Sequence, residues 1–262
     1  MDRRLQNKTA IITGSSRGIG KEMAILFAQE GADIALNDII MDDDLSSSSS
    51  LMDLMGQIKN LGRRCIYVKA DISQELEVNH LVQKAVSEFG RIDILINNAG
   101  VSPKKEGKKV PIFQLDKEEW DHVFAVNMDG VFLCSKAILP YMMKNKGGKI
   151  INISSMDGKT GGFSVSAHYA ASKAAVITFT RTLAREAALY GIHVNCIAPG
   201  CIATEMLLNR PKEIIDSYHQ YIPLGRIGKT SEVATVALFL ATDASSYITG
   251  TTIDVNGGWI MD

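Results

Sequence analysis

Apolar, β-rich runs alternate with helical patterns along the whole chain. The runs Thr9 to Thr13, Asp33 to Asn37, Arg64 to Lys69, Asp93 to Asn97, Lys149 to Ile153, His193 to Ile197 and Thr251 to Val255 predict strands. Most are continuously apolar rather than alternating, as strands covered on both faces are. The windows Gly20 to Gln29, Leu51 to Asn60, Gln74 to Phe89, Lys117 to Asn145, Ala167 to Tyr190 and Ser231 to Ala241 predict helices. Gly31, Gly62, Gly90 and Gly191 fall where C-terminal helix caps belong, each just before the next strand or its lead-in. Repeated strand-helix alternation with short links predicts one α/β domain over residues 1–262, built on a doubly wound parallel sheet of about seven strands with helices on both faces. Ser46 to Ser50, after Asp42-Asp43-Asp44, reads as a solvated loop leading into a helix.

Composition narrows the classes. A formal net charge of -1 gives no electrostatic footprint for nucleic acid and no polybasic membrane surface. Met1 to Lys8 is polar and runs straight into the first strand, with no secretory apolar region, and no apolar run approaches membrane-spanning length. Cytoplasm is the expected compartment. The cysteines at 65, 134, 196 and 201 form no C-x-x-C and read as small buried hydrophobes. The histidines at 80, 122, 168, 193 and 219 have no ligand spacing, so no metal is expected.

Candidate chemistry starts at Tyr169-Ala170-Ala171-Ser172-Lys173. Tyrosine and lysine four residues apart lie one turn apart on the same helix face. A phenol has a pKa near ~10, and an adjacent ammonium lowers it towards working range. The pair is a candidate proton-transfer unit, although the same spacing arises by chance on many amphipathic helices. A nucleotide site is the second candidate. The first strand ends in Thr13-Gly14-Ser15-Ser16-Arg17-Gly18-Ile19-Gly20 and turns into a helix, where glycines allow a tight turn and close approach of a pyrophosphate. Asp38 closes the second strand, 18 residues after Gly20, where an acid accepts from an adenosine ribose. The plainer readings are a glycine-rich structural turn and a turn-forming aspartate.

These pieces, with Asp71, Asn97-Asn98-Ala99-Gly100, Asn127, Ser155 and Pro199-Gly200 in this order, resemble the short-chain dehydrogenase/reductase family in its single-domain, Rossmann-like form. The likeness runs from about Leu5 to the C-terminus. It implies hydride transfer between a nicotinamide and an alcohol or ketone carbon. Tyr169 would be the general acid or base, and Lys173 would lower its pKa and hold the nicotinamide ribose. Ser155 would bind the substrate oxygen, and Asn127 would hold a water linking Lys173 to solvent. The cofactor would meet Gly14, Ser16, Arg17, Gly18, Ile19 and Gly20 at the first turn, and Asp38 at the ribose. Asp71 and Ile72 would border the adenine, with Asn98, Ala99 and Gly100 along the cofactor. Pro199, Gly200, the Ile202 backbone and the Thr204 hydroxyl would meet the carboxamide. Plainer roles stand beside these: buried amides for Asn97-Asn98, a strand stop for Pro199, a helix-face asparagine for Asn127, and a surface or capping residue for His168. One departure is a Ser155–Tyr169 spacing of 14, one longer than the family's common spacing, which places the extra residue in the loop Lys159 to Ser166.

Residues 203–222, with Met206, Leu207, Leu208, Tyr218 and Tyr221, form the expected lid. The loop Val101 to Leu115 carries Lys104, Lys105, Lys108 and Lys109, which would suit an anionic substrate or simply solvent. The expected substrate is a secondary alcohol or ketone (steroid, bile acid, polyol or sugar), the alternative a 3-oxoacyl thioester reduced with NADPH. A nucleotide-binding regulator would need the glycines without Ser155, Tyr169 and Lys173. Asp38 and the absence of Lys or Arg from Ala32 to Ile58 favour NAD, whereas Arg17 resembles a residue that binds the 2'-phosphate of NADP. The family likeness also implies a homotetramer.

Overall fold

The computed structural model describes residues 3–39, 51–105, 107–209 and 212–261, so the Asp- and Ser-rich run at 42–50 lies outside the described residues. The strands are β1 (Thr9–Thr13), β2 (Asp33–Asp38), β3 (Cys65–Lys69), β4 (Ile94–Asn97), β5 (Gly148–Ile153), β6 (Ile192–Pro199) and β7 (Thr252–Val255). They pair in parallel, in the order β3-β2-β1-β4-β5-β6-β7. Pro199 does not lie beyond its strand but ends it, in register with Val255.

The continuous apolar runs are explained by a core on each face of the sheet. Ala10, Ile12, Ile34, Leu36, Ile94, Ile96, Ile151 and Ile153 face one core, shared with α1 (Gly18–Gln29), α2 (Leu51–Asn60) and α10 (Thr230–Ala241). The intervening Ile11, Ala35, Leu95 and Ile150 face the other, shared with α3 (Glu75–Phe89), α5 (Gly130–Lys144) and α7 (Ala167–Ala187). Each strand thus splits its apolar residues between two layers with a period of two.

The window predicted as one helix at 117–145 has a defect. It consists of α4 (Lys117–Phe124), a π-helical turn at Ala125–Asp129, and α5. Pro140 is accommodated inside α5 because it and Lys136, whose carbonyl loses its partner, are both exposed to water. By length and apolarity alone this run is long enough to cross a membrane, contrary to the sequence reading. Its Val123, Val131, Cys134, Ile138 and Met142 are buried within the fold, and the last three belong to the core under α3 and α7. Three short helices had no strong sequence signal: α6 (Asp157–Thr160), α8 (Glu205–Leu208) and α9 (Lys212–Tyr218). The last two lie in the expected lid, and Leu207, Tyr218 and Ile222 form a small core of their own.

Candidate active site

Strand order reverses between β1 and β4, and in such sheets a crevice opens beyond the carboxyl ends of the strands at that point. A cleft of about 590 Å³ lies there. Its walls include Gly14, Arg17, Gly18, Ile19, Asp38, Asp71, Ile72, Asn98, Ala99 and Gly100 on one side, and Ser155, Tyr169, Lys173, Pro199, Gly200, Ile202 and Thr204 on the other. Ser16, Gly20 and Asn127 are buried behind these walls.

The floor of the first half is built from glycine and asparagine. Gly14 has φ +60°, and a Cβ on it would meet Ala99 Cα at 2.8 Å. A Cβ on Gly20 would meet the Gly14 carbonyl oxygen at 2.2 Å and Asn98 Nδ2 at 2.6 Å. Asn98 bridges the crevice, donating from Nδ2 to the carbonyls of Thr13 and Gly14, each at 2.9 Å. The plainer reading of this amide is therefore realised, and the same side chain also lines the cleft. Asn97 donates to Asn152 Oδ1 at 2.8 Å and points into the fold. No side chain caps the start of α1, and its first turn carries no acid. Unbonded N–H groups and the positive end of the helix dipole there fit a pyrophosphate.

Asp38 accepts at Oδ2 from Ser16 N (3.2 Å) and Ser16 Oγ (2.5 Å), so β2 and the glycine turn hold it in place. Arg17 reaches across to Glu205 of α8 at 3.6 Å, a pairing that sequence gave no reason to expect. Asp71 accepts from Ser73 N and Oγ at 2.9 and 2.8 Å. Ile72 is buried against Gly130, where a Cβ would lie 2.5 Å from Ile72 Cδ1.

The second half is organised by α7. Lys173 is almost wholly buried and donates from Nζ to the Ile153 carbonyl at 2.8 Å. Its ammonium lies 5.9 Å from the centre of the Tyr169 ring. Burial pulls the Lys173 pKa down to about 8. Cys196 is buried too, and loss of hydration raises its thiol to about 11. The two adjacent serines divide: Ser154 Oγ donates to the Lys173 carbonyl at 2.7 Å, while Ser155 Oγ turns towards Asp157. The segment expected to hold the extra residue, 159–166, starts within the short helix α6 rather than being a loop throughout.

Asn127 sits in the π turn with no exposed surface. Its Oδ1 accepts from Val101 N at 2.8 Å, and its Nδ2 donates to Val101 O at 3.0 Å and Ser172 Oγ at 3.1 Å. It therefore ties a distant loop to α7 rather than bonding its own helix backbone. A Cβ on Gly100 would lie 3.2 Å from both Asn127 Oδ1 and Lys173 Nζ, so glycine keeps the space beside these two polar groups clear. His168 is neither surface nor cap: it is fully buried, with Nε2 2.9 Å from Glu119 Oε1. Lys104, Lys105, Lys108 and Lys109 do not line the cleft, and Lys105 pairs with Asp116 at 3.5 Å. His122, Asp157, Ser164 and Met206 do line it. Asp157 carried one readable signal, an acid two positions after a candidate serine.

A family model described as enoyl-(acyl carrier protein) reductase matches residues 14–260. The 3-oxoacyl-(acyl-carrier-protein) reductase FabG of Thermotoga maritima is 40% identical over 258 residues, covering 98% of this chain and 100% of that protein. The 3-oxoacyl-(acyl-carrier-protein) reductase of Synechocystis sp. is 41% identical over 259 residues, covering 98% of each. Among solved structures, a 3-oxoacyl-(acyl-carrier protein) reductase from Brucella melitensis aligns with a TM-score of 0.89 at 36% identity, covering 99% of this chain and 95% of that one. A second Brucella melitensis structure of such a reductase, with bound NAD, gives 0.87 at 36% identity over the same shares. Levodione reductase gives 0.87 at 32% identity, covering 97% and 98%.

Proposed function

Given that this chain belongs to the short-chain dehydrogenase/reductase family and is an NAD(P)-dependent oxidoreductase acting on CH–OH groups, we propose that it reduces the 3-oxo group of an acyl thioester. The observation that carries this reading is the presence of Ser155, Tyr169 and Lys173 on one cleft, in a chain that aligns end to end with 3-oxoacyl reductases. The uncapped start of α1 and the glycine floor fit the pyrophosphate of a dinucleotide, and Asp38 fits the adenosine ribose. Bound there, the nicotinamide supplies the hydride to the carbonyl carbon. Tyr169 gives its hydroxyl proton to the carbonyl oxygen, and the phenolate left behind is stabilised by the Lys173 ammonium. Ser155 donates to the same oxygen as negative charge develops on it. Asn127 holds the Val101 loop and Ser172 in place around this group. The test follows NADH absorbance with the acetoacetyl thioester of N-acetylcysteamine and with a panel of cyclic ketones. Turnover of the ketones without the thioester would overturn the reading. It would also establish the second one, a small-ketone reductase, which the polar lining by Ser102, His122, Ser164 and Asn209 favours.

The preferred cofactor is NAD(H). A phosphate on the ribose would face Asp38, and unit charges 4 Å apart at an effective dielectric near 20 interact by about 4 kcal/mol. Arg17 lines the same cleft, and it is already engaged by Glu205. The expected preference in kcat/KM is at least about tenfold, or ~1.4 kcal/mol. Asp38→Ala narrows the gap, and Arg17→Ala weakens NADP(H) more than NAD(H). A wild-type preference for NADP(H) would mean that Arg17 outweighs Asp38.

A pH limb follows from Lys173. Its pKa lies at about 8, below the ordinary lysine value, so the free protein loses this ammonium as pH rises through that point. Tyr169 then loses the cation that stabilises its phenolate and becomes a weaker proton donor. The expected result is a kcat/KM for reduction that is flat below pH ~8 and falls above it, read from initial rates across pH. A profile still flat at pH ~10 would contradict it.

A further inference from the structure

Asp157 is a cleft residue to which the family resemblance gives no role. Ser155 Oγ donates to Asp157 Oδ2 at 3.2 Å and accepts from Asp157 N at 3.1 Å. A hydroxyl has one proton, so Ser155 aims its own at the carboxylate and turns only acceptor capacity to the cleft. Reduction of a carbonyl needs the reverse, a Ser155 proton directed at the substrate oxygen.

The carboxylate is held where it stands. Asp157 opens α6, and Gly158 lets this short helix press on α7, since a Cβ there would lie 2.7 Å from Lys173 C. On the other side Gly162 closes in, where a Cβ would lie 3.1 Å from Asp157 Oδ1. A fixed anion 3.2 Å from the hydroxyl that binds the reacting oxygen is also close to whatever flanks that oxygen.

We infer that Asp157 is a specificity-determining residue, favouring substrates with an N–H or O–H donor beside the reacting carbonyl and disfavouring those with a carboxylate there. A substrate donor reaching Oδ2 takes the place of the Ser155 proton, and Ser155 is then free to donate to the reacting oxygen. The donor therefore raises kcat as well as lowering KM. An anionic neighbour meets like charge and leaves Ser155 bound to Asp157. For a 3-oxoacyl substrate, the neutral ester or amide is preferred to the free acid. The inference rests on the reading above, in which Ser155 and Tyr169 hold the reacting oxygen.

The test uses the full-length protein with NADH and three compounds sharing one 3-oxo group: acetoacetamide, ethyl acetoacetate and acetoacetate. In wild type, kcat/KM should fall by at least about tenfold at each step in that order. Asp157→Leu should bring the amide and ester within about twofold of each other. Asp157→Asn removes the charge but keeps an acceptor oxygen, so it should admit acetoacetate while retaining a preference for the amide. A purely structural Asp157 would change the melting temperature and leave the ratios between compounds alone. Unchanged ratios in Asp157→Asn, or no preference in wild type, overturn the inference. Tyr169→Phe in the same panel separates the two readings. If it is inactive and the Asp157 ratios are unchanged, only the role of Asp157 falls. If it turns over within a few-fold of wild type, the site reading falls and takes this inference with it.

Discussion

Tyr169→Phe is expected to lower kcat for carbonyl reduction by about 10²–10⁴-fold, the usual contribution of a positioned proton donor. NADH affinity should stay within a few-fold of wild type. The substitution keeps the ring on α7 and so keeps its packing and the 5.9 Å approach of Lys173 Nζ. It deletes only the hydroxyl. Lys173→Met is the contrast. That change removes the ammonium bonded to the Ile153 carbonyl, and should lower both turnover and cofactor affinity. Steady-state rates and fluorescence titration with NADH separate the two patterns. Turnover in Tyr169→Phe within a few-fold of wild type would remove Tyr169 from the mechanism.

Gly20→Ala is expected to have the largest effect among single-methyl changes. The new Cβ would sit 2.2 Å from the Gly14 carbonyl oxygen and 2.6 Å from Asn98 Nδ2. Neither can yield: one is backbone, and the other is fixed by two hydrogen bonds across the crevice. Overpacking of this kind costs about 1–3 kcal/mol or more, and each bond broken adds roughly 1 kcal/mol. We expect a loss of at least ~3 kcal/mol in urea unfolding and a fall of at least about a hundredfold in NADH affinity. Gly56→Ala is the control. Gly56 lies inside α2 with nothing within 4 Å of its missing Cβ, so alanine there should stabilise by about 0.5–1 kcal/mol. Similar effects at the two positions would mean that the crevice is looser than the structure describes.

Both of these sites were legible in the sequence. The glycine turn and the Tyr169–Lys173 pair were readable because each is a local constraint. A left-handed φ at Gly14 and a one-turn spacing on α7 involve only neighbouring residues. The alternation of strands and helices was readable for the same reason, since a run such as Thr9–Thr13 or a window such as Leu51–Asn60 carries its own periodicity. The π turn at Ala125–Asp129 was not readable. Inserting one residue into a helical turn leaves the apolar pattern of 117–145 nearly intact, yet it lets the wholly buried Asn127 reach Val101 and Ser172. His168 misled because its partner Glu119 is 49 residues away, and a histidine beside a cleft tyrosine has no local sign of being sealed from that cleft.

What the sequence determined by itself was the α/β architecture, the glycine turn and the one-turn spacing of Tyr169 and Lys173, because backbone geometry and helix spacing are properties of short stretches. Only the tertiary structure decided strand order, the burial that brings Lys173 down to about 8, and the engagement of Arg17 by Glu205. It likewise decided that Asp157 would stand against Ser155 in the wall of the cleft. Desolvation and ion pairing depend on which distant segments the sheet brings together. No window of neighbouring residues carries that information.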